Sequence, residues 1–171
     1  EAITHRSYRN ENPGWETPHN ERLEFLGDAV LELAVTEELY NRFPEEDEGK
    51  LTSIRAALVN YQLLAKAGND IALEKSVLLS RGEARDTGRA REVIIANAME
   101  ALIGALYLDG GMPAAKAFVT GFVMNRLHEI MKTEGYRDPK STLQEMTQAK
   151  RKMTPSYRVI SETGPEHNKI F

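Results

Sequence analysis

The chain has 171 residues, 41% hydrophobic and 28% charged, a composition that builds a folded core rather than a disordered segment. It contains no cysteine and four histidines, which excludes a disulfide scaffold, a thiolate metal site and a cysteine nucleophile and leaves little for a His-rich zinc site. The formal net charge of −4 is uneven: residues 1–136 carry 15 Lys and Arg against 22 Asp and Glu, whereas residues 137–171 carry 7 against 4, so an acidic body precedes a basic tail.

In chain order, residues 20–42 read as a helix, with Leu23, Leu26, Val30, Leu33 and Leu39 at mainly helical spacing, Asn20 as N-cap and Pro44 just past the end. A second helix is expected after Glu48, running to Gly68 with Leu51, Ile54, Leu58 and Tyr61 as its inner stripe. Residues 80–91 hold glycines and Arg81, Arg85, Arg89 and Arg91 and read as a loop, either solvated or touching phosphates. From Glu92 the chain becomes strongly apolar and reads as a buried central helix ending at Gly110–Gly111. Another helix starts with Pro113 near its first position. No apolar run reads as reaching the ~18 residues of a membrane helix, and no leader pattern is seen.

The character changes at TEGYRDP (133–139). We divide the chain into a helical domain over 1–133, a linker over 134–139 and a second domain over 140–171. The last piece reads as a helix (STLQEMTQAKRK), a strand holding Tyr157 and Val159, a turn at Gly164–Pro165 and the start of another strand. So few residues do not bury a core alone, and they read as the front half of a domain.

Two groups of acids stand out. Glu21, Glu24 and Asp28 sit at i, i+3 and i+7, within about 60° of one helix face. Three like charges there repel one another. Glu100 is the only charged residue between Val93 and Leu108, and Asn97 stands one turn before it on the same face. A lone carboxylate in such a segment is costly unless something polar meets it. The economical arrangement brings Glu24, Asp28, Asn97 and Glu100 together as oxygen ligands for Mg²⁺ or Mn²⁺, with Glu48 as an outer ligand. Such a metal activates water and stabilises a phosphoryl transition state. The plainer readings stand beside this. The row is also what a solvated helix face looks like, Asp28 suits a nearby backbone amide, and Glu48 suits a helix start on dipole grounds.

The stretch HNERLEFLGDAVL (19–31) resembles the signature of the ribonuclease III family of double-stranded-RNA endonucleases. THRSY (4–8), DEGKLTSIRAALVN (47–60) and MEALIGALYLDGG (99–111) resemble further motifs of that family in the same order. LQEMTQ and PSYRVISETGPEHNKIF resemble the opening half of a double-stranded-RNA-binding domain. The resemblance implies an all-α catalytic domain followed by the first part of an α+β RNA-binding domain. It implies that Glu24, Asp28 and Glu100 ligate metal, with Glu100 most critical, that Glu21 supports cleavage or the local carboxylate network, and that Glu48 belongs to an outer cluster. Phe25 is implied to plug into a partner subunit of a homodimer, although ordinary core would also explain it. Ser141, Gln144, Glu145 and Gln148 are implied to face an RNA minor groove and His167 an adjacent one, as suits side chains that meet 2′-hydroxyls. The family usually has aspartate where this chain has Asn97. The amide oxygen still coordinates, but it brings no charge.

These expectations amount to a Mg²⁺-dependent endoribonuclease, with Mn²⁺ as a substitute, acting in RNA processing. It cuts duplex RNA to 5′-phosphate products with short 3′ overhangs. No membrane partner is expected, and the lack of cysteine fits a cytoplasmic location. Asn97 keeps open a non-cleaving RNA-binding protein, and an all-α nucleotide pyrophosphatase is a third reading that the basic tail opposes.

Overall fold

A computed structural model describes residues 1–134, 136 and 139–164, with the backbone alone at 139, 141, 142 and 145. It divides into two compact units, Glu1–Tyr136 and Arg137–Phe171.

The first unit is helical. A short helix not expected from the sequence, α1 (Arg6–Glu11), is capped by His5, whose side chain accepts from the Ser7 amide. Helix α2 covers Glu21–Arg42. The single helix expected over 48–68 is two, α3 (Glu48–Leu58) and α4 (Tyr61–Asp70). Asn60 breaks it, because its side chain caps the second helix by accepting from the Leu63 amide at 2.9 Å. Asp47 caps α3 in the same way through the Lys50 amide at 2.8 Å. The arginine loop contains a 3₁₀ turn at Glu83–Arg85, and Arg89 and Arg91 already belong to the next helix. That helix, α5 (Arg89–Phe122), is broken at Gly111, where φ is 69°. Glycine alone adopts that angle without strain, and Pro113 restarts the helix, as the sequence predicts. A 3₁₀ turn at Met124–Arg126 leads into α6 (Leu127–Thr133).

Helix α5 is the central element. It contributes Ala96 and Ile103 to a core with Leu31, Val35, Leu39, Ile54, Leu58 and Val119. It also contributes Ile95, Ala98 and Met99 to a second core with Ala65, Ala67, Leu73 and Val77. A helix covered on several sides must be apolar on several sides. For that reason the stretch Arg89–Thr133 is, against the sequence expectation, long and apolar enough by length and composition to cross a membrane, with a window of mean hydropathy 1.4. Of that window 44% is buried inside the protein, in the two cores.

Two details of α2 also differ. Leu33 is 53% exposed, while Leu31, Ala34 and Val35 are buried. Leu33 lies roughly 160° around the helix from Leu31, so it does not belong to the inner stripe. Asn20 is buried, but its side chain donates to the Ala2 carbonyl at 3.3 Å rather than capping α2. It thereby ties the N-terminal segment to the start of the helix.

Helices α2 and α5 cross with their backbones touching. A Cβ at Gly27 would overlap the Glu100 carbonyl and lie 2.9 Å from the Gly104 nitrogen. A Cβ at Gly104 would overlap the Leu23 carbonyl. Both positions therefore require glycine for space.

In the second unit, helix α7 covers Pro139–Arg151. Tyr157 reaches back to it, donating to the Lys140 carbonyl at 3.2 Å, with the Lys140 ammonium 5.0 Å from its ring centre. Among the described residues, the stretch expected as a first strand carries no regular secondary structure over 153–162. Residues 165–171, which hold the expected second strand, lie outside the described residues.

The crossing makes a direct prediction. Gly27→Ala should destabilise the protein by about 3 kcal/mol, the upper range for overpacking, and lower its melting temperature by roughly 6–12 °C. Gly121→Ala, at a helical position with nothing within 4 Å, should leave stability unchanged or slightly raised. Thermal melts followed by circular dichroism check both, and equal melting of Gly27→Ala and the parent chain would refute the close approach.

Candidate active site

The glycine crossing sets the site. Glu24 and Asp28 flank Gly27 on α2, and Glu100 stands one turn before Gly104 on α5. Because the backbones touch there, side chains beside the contact are forced into one another's field. Asn97, a turn earlier on α5, reaches the Glu24 carboxylate and stabilises its charge by hydrogen bonding. The four residues that the sequence singled out are thus brought together.

Their electrostatics are those of uncompensated anions. Glu100 is pushed from 4.5 up to about 7, first by burial, then by Asp28 and then by Glu24. Glu24 is raised by burial, then by Glu21 and more weakly by Asp28, against the pull of Asn97. Asp28 itself is exposed, so the cluster opens to solvent on the α2 side. Carboxyl groups held this way exchange their protons for a cation readily, because both relieve the same repulsion.

Among the described residues, no three Asp, Glu or His side chains close on one point as a ready metal cage. The donor set is nevertheless oxygen-only, part-buried and over-charged, and Asn97 offers a neutral oxygen. That chemistry fits a hard divalent ion that keeps part of its water shell, and it does not fit zinc or copper.

The other sequence candidates fall elsewhere. Glu21 is at the row's outer end, paired with Arg6 at 3.2 Å and facing His19 at 3.8 Å. Glu48 is not brought to the cluster within this chain. It begins α3, takes a hydrogen bond from the Thr52 hydroxyl at 3.4 Å, and lines a groove of about 470 Å³ with Thr36, Tyr40, Leu51 and Arg55. Phe25 is 83% exposed, which rules out the core reading within the chain. With Leu33 and Tyr40 it forms an exposed apolar stripe within about 80° of the α2 surface.

On α7, Gln144 is half-buried and Gln148 is exposed, its amide donating to the Thr154 hydroxyl at 3.3 Å. Ser141 and Glu145 lie on the same helix, their side chains outside the described part, and His167 lies outside the described residues. Of the arginines, Arg81, Arg85 and Arg89 are exposed. Arg91 is anchored, with Nε 3.4 Å from Glu74 and Nη2 donating to the Ala84 carbonyl at 3.0 Å, and so holds the loop to the body.

Sequence reasoning missed Gly27, Gly104 and Arg6. The glycines carry a legible signal: each interrupts an otherwise good helix, where glycine costs about 1 kcal/mol and therefore marks a packing need. Arg6 lies in the THRSY motif, but nothing local points to its partner, which is fifteen residues away.

Comparison with known proteins identifies the family. A Ribonuclease-III-like family model matches residues 1–127, and a double-stranded RNA binding motif matches residues 139–171. Ribonuclease 3 of Oleidesulfovibrio alaskensis is 47% identical over 99% of this chain and 74% of its own length. Ribonuclease 3 of Myxococcus xanthus is 44% identical over the whole chain and 66% of its own length. Among solved structures, the nuclease domain of ribonuclease III from Campylobacter jejuni, described for flexibility in a region involved in dimer formation, matches with 40% identity. Its TM-score is 0.65, over 72% of this chain and 82% of that one. Dicer from Pichia stipitis matches with 28% identity and a TM-score of 0.55, over 88% and 72%. With its nuclease model, its RNA-binding motif and relatives of this identity along nearly all its length, the chain belongs to the ribonuclease III family.

Proposed function

We propose that the chain is an endonuclease of double-stranded RNA that uses a divalent cation, Mg²⁺ or Mn²⁺, at Glu24, Asp28, Asn97 and Glu100. The observation that carries this is the convergence of these residues, with Glu100 pushed up to about 7 by its burial and its acidic neighbours. A structural protein gains nothing from that arrangement, since a neutral side chain in place of Glu100 would remove the repulsion.

The residues divide the work. Glu24, Asp28 and Glu100 supply the negative charge that holds the cation, and Asn97 fixes the Glu24 carboxylate. When bound, the ion supplies the positive charge that admits an anionic phosphodiester to an acidic cleft and the Lewis acidity that activates water. Partial burial of Glu100 strengthens the charge interactions beside it. Cleavage leaves a 5′-phosphate and a 3′-hydroxyl. Duplex RNA is held by shape through the second unit, with Ser141, Gln144, Glu145, Gln148 and His167 as its contacts.

Two copies act together. The Phe25, Leu33 and Tyr40 stripe is apolar, exposed and beside the acids, and the groove by Glu48 offers a socket on the same face of α2. Paired sites cut the two strands at offset positions, which leaves short 3′ overhangs. Phe25→Ala should convert a dimer to monomers in sedimentation, with the melting of each chain little changed. An unchanged dimer would remove Phe25 from the interface.

Asn97 supports a second reading, a duplex-RNA binder with weakened cleavage, because it brings no charge to the ion. Cleavage of a labelled duplex in Mg²⁺, Mn²⁺ and chelator separates the two. The nuclease reading expects metal-dependent cutting by the unaltered chain. Glu100→Gln should lower kcat by about 100-fold or more, beyond what loss of an outer partner costs. Asn97→Asp should lower the Mg²⁺ concentration needed. Cutting that begins only in Asn97→Asp would establish the second reading, and metal-independent cutting would refute the site.

A further inference from the structure

An acidic cleft has to receive a polyanion, and two basic side chains face the outer end of its acid row. They come from the N-terminal segment. Arg6 Nη1 stands 3.2 Å from Glu21 Oε1, and His19 Nδ1 stands 3.8 Å from Glu21 Oε2. Glu21 is the outermost carboxylate of the row and one of the charges that raise Glu24. The Arg6 side chain is 64% exposed, and of its five donors only this pairing is made among the described residues. Its guanidinium therefore presents open donors at the rim of the site.

The backbone beneath Arg6 is fixed, which is unusual for so exposed a cation. Thr4 is buried and bridges in parallel to Leu78. The His5 ring bonds the Ser7 hydroxyl at 2.8 Å, and that hydroxyl accepts from the Ser80 amide at 3.1 Å. The Asn20 amide donates to the Thr4 carbonyl at 2.9 Å, so the same segment is tied to the first turn of α2. Holding Arg6 at this point costs little further backbone entropy. An ion pair this exposed is weak, so the guanidinium turns from carboxylate to phosphate at small cost.

We propose that Arg6 binds a phosphate of the substrate RNA strand at the edge of the acidic cluster, with Glu21 holding its guanidinium in place until the strand arrives. The inference rests on the duplex-RNA nuclease reading. In that reading the cation at the cluster meets the scissile phosphate. Arg6 lies at the Glu21 end of the row and meets a neighbouring one, which fixes the strand along the row. Arginine suits this role because its fork grips a phosphate through two donors.

The test is binding of a synthetic RNA duplex in chelator across a salt series, alongside kcat and KM in Mg²⁺, for the parent chain, Arg6→Ala, Arg6→Lys and Glu21→Gln. Loss of one phosphate contact in Arg6→Ala should weaken binding about 3–10-fold and reduce the slope of log affinity against log salt by about one. KM should rise in proportion while kcat stays within about twofold. Arg6→Lys should keep the slope, and so should Glu21→Gln, whose arginine is intact. An unchanged slope and affinity in Arg6→Ala, with a fall in kcat alone, would overturn the proposal and leave Arg6 as a partner of Glu21. A parent chain that binds duplex without cutting it would refute the nuclease reading while the salt slope still decides the phosphate contact. A parent chain that does not bind duplex would refute both.

Discussion

The site depends on one contact, the touching of the α2 and α5 backbones at Gly27 and Gly104. Side chains at an ordinary helix crossing hold the axes 8–10 Å apart. Here neither helix has a side chain at the contact, and each would overlap a carbonyl of the other if it had one. The closeness has two consequences. It gives α5 a firm seat in the core formed with Leu31, Val35 and Leu39. It also forces Glu24 and Asp28 into the field of Glu100, an arrangement that the acids themselves oppose.

That opposition is stored where the proposed reading brings a cation and a polyanion together. Burial raises Glu24 and Glu100 most, and their acidic neighbours raise them further. The remaining charge is graded along α2. At its inner end Asn97 relieves Glu24, whereas at its outer end Glu21 faces Arg6 and His19. In the proposed reading, an incoming strand would meet Arg6 at the rim and a bound cation at the centre. The stability that holds this arrangement comes from elsewhere, from the apolar faces of α4, α5 and α6 and from the N-terminal segment stitched to Leu78 and Asn20.

Much of this is legible in the sequence, for identifiable reasons. Glu21, Glu24 and Asp28 declare their shared face because helical spacing is a local property. Asn97 and Glu100 stand out because polar groups in an apolar run need a reason. The break at Gly111 and the restart at Pro113 follow from backbone chemistry alone. The failures have a common cause, which is dependence on a partner distant in sequence. Leu33 looks like core until Leu31 and Val35 are seen to face α5. The run from Glu48 to Gly68 looks continuous because Asn60 helps one helix only by ending another. Asn20 looks like a cap, but its amide is taken by Ala2. Glu48 and the acids look like one set, although Glu48 opens onto a separate groove. The Arg6 pairing with Glu21 has no local signature at all.

The most direct test of the account is an NMR titration of the Glu100 side-chain carboxyl in the metal-free protein, for the parent chain and for Gly27→Ala. The close crossing predicts that Glu100 titrates at about 7 in the parent chain, against an ordinary 4.5. It should therefore be protonated below that pH and ionised above it. In Gly27→Ala, where the helices must part, the midpoint should fall toward the ordinary value, and the Glu24 midpoint should fall with it. A Glu100 midpoint near 4.5 in the parent chain, or one that Gly27→Ala leaves in place, would contradict the claim that the touching backbones create the site.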